Sequence, residues 1–403
     1  MATDIETTVH AVEAAAVMRL LPARPRLLAL GEPTHREEDL LDLRNDLFRR
    51  LVEQEGYRTV AIESDCLRGL VVDDYVTEGT GALDDVMANG FSHPDLGLSR
   101  SAANRELVRW MREFNEGRPA PDRVRFAGFD APLEITHAES PRRSLTALHR
   151  CLASQLDAGL LPCTEAALDR LLGADDGWTE PAAMRDPARS VGRSPEAREL
   201  RLLADDLVAL LDERAPQLIA ATSRDRWDRA RLYGRTATGL LRYHFWMADT
   251  SSSRMTRLVG LRDRMMAANL LALAERGPAL AHAHNSHLQR DRSSMRMGGA
   301  TVEWWSAGAL VSARLGTEYA FVATALGTIR HQGVDTPPPD TVEGLLYALP
   351  GDRHVVDARL LATTLADAPP AARVSPYYGY ASLDPAQLAG YDAMVFLKDV
   401  VRR

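Results

Sequence analysis

A glutamate and a histidine three residues apart, Glu32 and His35, follow an apolar run in the stretch LLALGEPTH (27–35). A run of this length is typical of a buried strand, and Gly31 marks the turn at its end. A neutral imidazole can take a proton from water, while a carboxylate on its other nitrogen fixes the tautomer and stabilises the imidazolium. The pair is therefore a candidate general base, His35, with its orienting partner, Glu32.

Three further apolar runs end in acidic residues or histidines. Glu63 and Asp130 each follow one run, and His284 and His287 follow a third. Open α/β sheets bind ligands at the carboxyl ends of their strands, so we expect these side chains in one cleft. Each acid alone could be a helix N-cap or a turn residue, and the coincidence at four strands favours a site.

Polar residues also interrupt the apolar faces of two predicted helices. Arg44 lies within the apolar stripe of the helix that follows the first strand. A buried guanidinium needs a carboxylate partner, which predicts an ion pair with Glu32 or Glu63; the alternative is a side chain that extends to solvent. Arg262 and Asn269 share one face of a later helix and either line the cleft or form hydrogen bonds between elements.

The order of elements predicts an α/β fold with a mainly parallel central sheet flanked by helices. The predicted strands are 26–30, 58–62, 123–129, 279–283, 318–325 and 392–397. Residues 140–255 show helical periodicity without a convincing strand. We therefore expect a catalytic core formed by 1–139 and 256–403, with 140–255 as an inserted helical cap over the active-site cleft that sets substrate size.

Composition excludes several classes of protein. The 403-residue chain has a net charge of -8, which argues against a nucleic-acid partner. Lys398 is the only lysine, so a GK[ST] phosphate loop is impossible and only this residue could form a Schiff base.

Three cysteines without a CxxC pair favour a reducing compartment. The N-terminus lacks signal-peptide features and no apolar run is long enough for a membrane span, so we expect a cytoplasmic protein without a membrane partner.

Several catalytic motifs are absent or incomplete. The stretch HAHNSH (282–287) is similar to the zinc motif of metallo-β-lactamases, but Ser286 stands where that motif needs an aspartate. No G-x-S-x-G nucleophile motif occurs, and no G-x-G-x-x-G follows the first strand. Cys66 could be a nucleophile, although a lone cysteine at a helix start usually packs. What remains is hydrolysis without a serine nucleophile, in which His284, His287 and Arg44 polarise a carbonyl or hold an oxyanion.

The chain resembles the erythromycin esterase family over nearly its whole length. The matching stretches, in the family's order, are GEPTH with Arg44 on the next helix, YRTVAIESD, LVRWMREFN, FAGFD, LRDRMMAANLLAL, AHAHNSH and YDAMVFLKDV. The resemblance implies an α/β fold with helical additions, a deep cleft, and water-mediated opening of a macrolide lactone. It assigns the base to His35 and its partner to Glu32; the residues that complete the cleft are Glu63, Arg44, His284 and His287.

One position departs from the family pattern. Arg36 follows the histidine where the family usually has glycine, so a large cation lies beside the base. This cation would block a bulky macrolide or bind an acidic group of another substrate. With Asp130, Arg262 and Asn269 it forms the predicted substrate-binding set. Metal dependence varies among relatives, so the sequence requires no cofactor but leaves a divalent metal possible.

These residues predict a carboxylic ester or lactone hydrolase that acts on a macrolide or polyketide-like small molecule. An alternative is a natural-product tailoring enzyme that uses the same base for cyclisation, elimination or acyl transfer. A second alternative is a non-catalytic protein that keeps the cleft as a ligand pocket. The number of subunits, and the choice between antibiotic resistance and biosynthesis, stay open at this point.

Overall fold

The computed structural model describes residues 5, 7–11, 13–92, 98–134, 137–297, 299–377 and 379–401. Among them, no helix is both long and apolar enough to cross a lipid bilayer. The strands are β1 (Val9–His10), β2 (Leu27–Glu32), β3 (Thr59–Asp65), β4 (Arg125–Asp130), β5 (Leu133–Glu134), β6 (His137–Ala138), β7 (Ala279–His284), β8 (Arg292–Met297), β9 (Ala300–Trp305), β10 (Tyr319–Thr328), β11 (Arg353–Val356) and β12 (Ala393–Asp399).

The central sheet has eight strands in the order β1-β11-β12-β10-β2-β7-β3-β4. The six strands from β12 to β4 pair in parallel, and β11 and β1 add an antiparallel edge. All six predicted strands are present, so the mainly parallel α/β fold is confirmed. The parallel order brings the carboxyl ends of β2, β7, β3 and β4 side by side, where the candidate site residues lie.

Helices surround the sheet. Their bounds are α1 (Ala14–Leu20), α2 (Glu38–Glu55), α3 (Gly69–Glu78), α4 (Leu83–Asn89), α5 (Ala102–Asn115), α6 (Arg142–Ala153), α7 (Glu165–Leu172), α8 (Asp175–Trp178), α9 (Pro195–Glu213), α10 (Ala215–Ala221), α11 (Arg224–Met247), α12 (Arg254–Ala274), α13 (Asn285–Leu288), α14 (Ala307–Leu315), α15 (Val342–Tyr347) and α16 (Ala358–Thr364).

Apolar residues of the parallel strands are buried on both faces of the sheet, as two helical layers require. In β2, Leu28 and Leu30 pack into a core with residues of α1, α2, α3 and α5. Leu27 and Ala29 pack on the other face with residues of α12, α14, α15 and α16. The result is a three-layer α/β/α core.

Residues 140–255, all of which the structure describes, contain helices and no strand. Leucines of α6, α7, α9, α10 and α11 form a hydrophobic core of their own. Helix α11 packs against α12, which joins this helical region to the sheet layers. The predicted helical content is therefore present, whereas the division into a core and an inserted cap stays a prediction.

Candidate functional site

Glu32 and His35 meet at the carboxyl end of β2. Glu32 is the last residue of the strand and is 5% exposed. Its Oε1 lies 2.7 Å from Nδ1 of His35. Burial raises the pKa of Glu32, but the nearby His282 and His35 outweigh this effect, so the pKa lies below its usual value. An ionised carboxylate only accepts hydrogen bonds, so His35 Nδ1 carries the proton and Nε2 is left for chemistry.

His35 is the accessible member of this pair. Its side chain is 44% exposed. Burial lowers its pKa, but the negative charges of Glu63 and Glu32 outweigh that effect and raise the pKa to about 9. Arg36, the next residue, is exposed and has a φ of 74°. This left-handed conformation favours glycine, which gives a physical reason for glycine at this position in the family pattern.

Arg44 on α2 is buried, with 1% exposure, and lines the cavity beside Glu32. Its Nη2 donates to Oδ1 of Asn45 and of Asn104, each at 2.8 Å. Among the described residues no carboxylate lies within 4.0 Å of the guanidinium, so the predicted ion pair with Glu32 or Glu63 is wrong, as is the solvent-exposed alternative. Burial lowers the pKa of Arg44 to about 10.

Two hydrogen-bond donors and one imidazole surround the carboxylate of Glu63. Its Oε2 accepts from the backbone N–H of His284 at 2.9 Å, and its Oε1 lies 3.2 Å from Arg262 Nη2 and 3.5 Å from His287 Nε2. Burial raises the pKa of Glu63, but His287, His35 and Arg262 together hold it well below its usual range. Glu63 is therefore a fixed negative charge beside His35.

Arg262 on α12 binds acids at two strand ends. It contacts both oxygens of Asp130, the closer one at 2.6 Å from Nη2, in addition to its contact with Glu63. All three residues line the same cavity. Arg262 and Asp130 thus satisfy each other, and their proposed contact with substrate stays a prediction.

Asn269, two turns further toward the end of α12, is not among the described residues that line this cavity. Its Nδ2 donates to the carbonyl of Phe129 at 3.0 Å, and its Oδ1 accepts from Arg235 at 3.2 Å. Its place in the predicted substrate-binding set stays a prediction. The alternative, a hydrogen bond between elements, describes what this side chain does.

Asp263 is a site residue that the sequence reasoning missed. It is 0% exposed, and its Oδ1 lies 2.7 Å from His287 Nδ1. Its Oδ2 accepts from Trp304 Nε1 and from the backbone N–H of Ala307. Burial lowers the pKa of His287, but Asp263 and Glu63 outweigh it and raise the pKa. The available signal was an acid inside the apolar face of α12, directly after Arg262.

His284 is neutral and oriented by its own chain. Its Nδ1 accepts from the backbone N–H of Ser286 at 3.2 Å and lies 2.7 Å from Oγ of the same serine. Burial lowers the pKa of His284 to about 4. A neutral ring that accepts at Nδ1 carries its proton at Nε2. The ring centroid is 5.4 Å from that of His35, so the two histidines are neighbours.

His282 is the second missed residue. It is 4% exposed and lines the cavity, and its Nε2 lies 3.6 Å from Oε2 of Glu32. Burial lowers the pKa of His282 to about 4. The signal in the sequence was strand alternation, because His282 and His284 point to the same face of β7.

The cavity at this strand edge has a volume of about 40 Å³. Its described lining residues come from the strands of the sheet, from the turn after β2, and from α2 and α12, and they include Ser92, Leu98 and Glu134; none belongs to 140–255. The helical region 140–255 therefore contributes no side chain to the described lining of this cavity. Among the described residues no group of three or more His, Cys, Asp or Glu is arranged to hold a metal ion.

The fold and site define an α/β protein with a histidine–carboxylate centre at the carboxyl edge of a parallel sheet. A family model described as "Erythromycin esterase" matches residues 52–400. The chain belongs to the erythromycin esterase family. Membership of this family supports an esterase or hydrolase activity in general terms.

Individual relatives are distant. Erythromycin esterase type II of Escherichia coli is 26% identical over 143 residues, and this match spans 33% of the present chain and 32% of the length of that relative. A protein from Bacillus cereus has a TM-score of 0.70 at 16% identity, with 99% of this chain and 97% of that chain covered. A mutant of the erythromycin esterase EreC in its open conformation has a TM-score of 0.65 at 16% identity, with 95% and 92% covered. At this identity the structures support the shared fold.

Proposed function

We propose that this protein hydrolyses a carboxylic ester or lactone with water activated by His35. The observation that carries the proposal is the 2.7 Å contact between Glu32 and His35 Nδ1, which leaves Nε2 of an accessible imidazole beside the cavity. A general base must be able to reach the water, and it works best when its other nitrogen is held.

The proton transfers follow from this arrangement. His35 Nε2 takes a proton from water as the water oxygen attacks the carbonyl carbon. Glu32 stabilises the imidazolium that forms, without itself taking the proton. When the tetrahedral intermediate collapses and the C–O bond breaks, His35 returns the proton to the leaving alkoxide.

Two groups are suited to the negative charge on the carbonyl oxygen. The guanidinium of Arg44 lines the cavity and, among the described residues, its hydrogen-bond partners are amide oxygens, so no described carboxylate pairs with its charge. His284 Nε2 carries a proton beside His35. Preorganised donors of this kind are worth more in a site shielded from water than in solution.

The cavity favours a substrate of which only the reacting part enters. A volume of about 40 Å³ is well below the roughly 300–1,000 Å³ of pockets that enclose a drug-sized ligand. We propose a macrolide or polyketide-like lactone whose ester group reaches His35 while the rest lies outside the cavity. The same proposal includes a role in antibiotic resistance or secondary metabolism inside the cytoplasm. The three cysteines are free thiols, as is usual in a reducing compartment.

The test is a substrate screen of purified protein with macrolides, polyketide lactones and simple esters, with and without chelator, followed by product mass. Hydrolysis adds one water; cyclisation adds none, and elimination loses a small molecule. We expect His35→Asn to lower kcat by about 10²-fold or more. The control is His10→Asn, an exposed histidine on β1 at the far edge of the same sheet, which should leave kcat unchanged. Equal kcat for His35→Asn and the unmutated protein would overturn the proposal.

A further inference from the structure

One oxygen of the Glu32 carboxylate lacks a hydrogen-bond partner in the part of the chain that the structure describes. Glu32 Oε1 binds His35, but Oε2 is buried and has no hydrogen-bond partner among the described residues. Buried polar atoms of native proteins almost always have a partner, and a buried acceptor left unpaired is costly. Because Glu32 lines the cavity, a bound ligand can supply the missing donor.

His282 stands opposite this oxygen. Its Nε2 lies 3.6 Å from Glu32 Oε2, and both side chains line the cavity. This separation exceeds a hydrogen bond but lets one ligand atom lie about 2.8 Å from each group. The neutral imidazole of His282 offers one N–H and one lone pair, whereas the ionised Glu32 only accepts.

These two neighbours select the ligand group by its hydrogen-bonding capacity. A hydroxyl group donates its single proton to Glu32 and accepts the N–H of His282 in the tautomer protonated at Nε2. A keto oxygen has no proton for Glu32, and a methylene group leaves Oε2 unpaired. An ammonium group is disfavoured by charge repulsion, because the guanidinium of Arg44 lines the same cavity. That guanidinium has no carboxylate partner within 4.0 Å among the described residues.

We propose that Glu32 Oε2 and His282 form a subsite for a hydroxyl group of the substrate, so that the protein selects hydroxylated esters or lactones. This inference rests on the proposed function, since the same cavity must hold the ester. The attacking water occupies a different place, because it meets His35 at Nε2, across the ring from the nitrogen that binds Glu32.

The first experiment compares kcat/KM for the 4-nitrophenyl esters of butyric, 2-hydroxybutyric and 3-hydroxybutyric acids. We expect a preference of about tenfold or more for a hydroxylated ester, because a charge-assisted hydrogen bond is gained. In His282→Phe the preference should fall below about threefold, and in His282→Gln, which keeps an N–H donor, it should be partly restored. Equal rates for all three esters in the unmutated protein, or an unchanged preference in His282→Phe, would overturn the subsite.

A matched control comes from another buried histidine of the same sheet. His354 on β11 is 7% exposed and its Nε2 also has no partner among the described residues. His354→Phe should leave the preference for the hydroxylated ester unchanged. A loss of preference in this variant as large as in His282→Phe would mean that the effect is structural and would overturn the proposal.

A binding measurement separates failure of the subsite from failure of the proposed function. We would record imidazole ¹⁵N spectra with the unreactive amides 3-hydroxybutanamide, 2-hydroxybutanamide and butanamide, and assign the His282 resonances by their absence in His282→Gln. The hydroxylated amides should shift these resonances and butanamide should not. If no ester is hydrolysed, the proposed function fails and this shift still supports the subsite; no shift overturns the subsite whether or not esters are hydrolysed.

Discussion

At the scale of single residues, the protonation state of His35 is subject to two opposing requirements. A base must be neutral to accept a proton, yet Glu63 and Glu32 raise the pKa of His35 to about 9. In the resting protein the imidazole is therefore mostly protonated at pH 7. We expect kcat/KM to rise about tenfold per pH unit up to about pH 9 and then level off, which a pH–rate profile measures.

The charge of Glu63 provides the control for this pH dependence. Glu63→Gln removes the first of the two charges that raise the pKa of His35. The ascending limb should therefore move to lower pH in this variant, whatever its effect on the maximum rate. A limb at the same pH in both proteins, or a plateau already reached at pH 7, would remove His35 as the titrating base.

Arg36 provides a prediction about stability. A side chain with a β-carbon in the left-handed region costs roughly 1–2 kcal/mol, and glycine relieves this cost at the expense of a more flexible unfolded chain. With a φ of 74°, Arg36→Gly should raise the free energy of unfolding by about 0.5–1 kcal/mol. Urea denaturation measures the change. Arg36→Ala keeps the β-carbon and should show no gain; equal gains in both variants would argue against backbone strain.

From the sequence, the contact partner of a site residue was predictable where that partner is close in the chain. The GEPTH spacing places His35 against Glu32 because the two residues are three positions apart in one turn. The prediction of a carboxylate partner for Arg44 failed because its partner Asn104 belongs to α5, sixty positions away. There an amide oxygen accepts from the guanidinium in place of an acid. His282 was hidden by its position inside a strand, since a buried strand histidine is usually a packing residue.

At the scale of elements, apolar run lengths predicted the six parallel strands because such strands are buried on both faces. The edge strands β11 and β1 have only four and two residues and carry no comparable signal. Strand order was not predictable either, because the sequence does not say that β7 inserts between β2 and β3. That insertion brings His282, His284 and His287 to Glu32 and Glu63.

Helix α12 is coupled to the strand edge through Asp263. This buried carboxylate holds His287 Nδ1 at 2.7 Å, and His287 in turn lies beside Glu63. Asp263→Asn removes the charge, and because Trp304 and Ala307 donate to the other oxygen, the amide NH2 then faces His287 Nδ1 in place of an acceptor. We expect kcat to fall by about tenfold or more with little change in KM, because a displaced His287 no longer holds Glu63, the charge beside the base, in place.

Trp304→Phe is the matched control for Asp263→Asn. It deletes the hydrogen bond from Trp304 to the other oxygen of Asp263 and leaves the contact with His287 in place. This variant should keep kcat within about threefold of the unmutated protein, because the imidazole stays oriented. Comparable kcat losses in the two variants at equal secondary structure by circular dichroism would assign Asp263 a packing role.

At the scale of the whole molecule, buried charges and histidines make stability depend on pH. His35 has a folded pKa of about 9, above the unfolded value of about 6.5. Its contribution to stability is therefore complete below pH 6.5 and is lost as the pH rises toward 9. The buried neutral histidines act in the opposite direction, because their folded pKa values lie below the unfolded value.

The loss of stability at acidic pH follows from three histidines whose pKa values burial lowers to about 4: His244, His282 and His284. Between about pH 6.5 and 4 the unfolded chain binds protons that the folded protein does not, so each histidine costs up to about 1.4 kcal/mol per pH unit. We expect the free energy of unfolding to fall steeply over this window in denaturant titrations. His244 is remote from the cavity and donates to the carbonyl of Glu139, so His244→Gln keeps the donor and should make the slope shallower by about one proton. An unchanged slope would mean that this histidine is charged in the folded state.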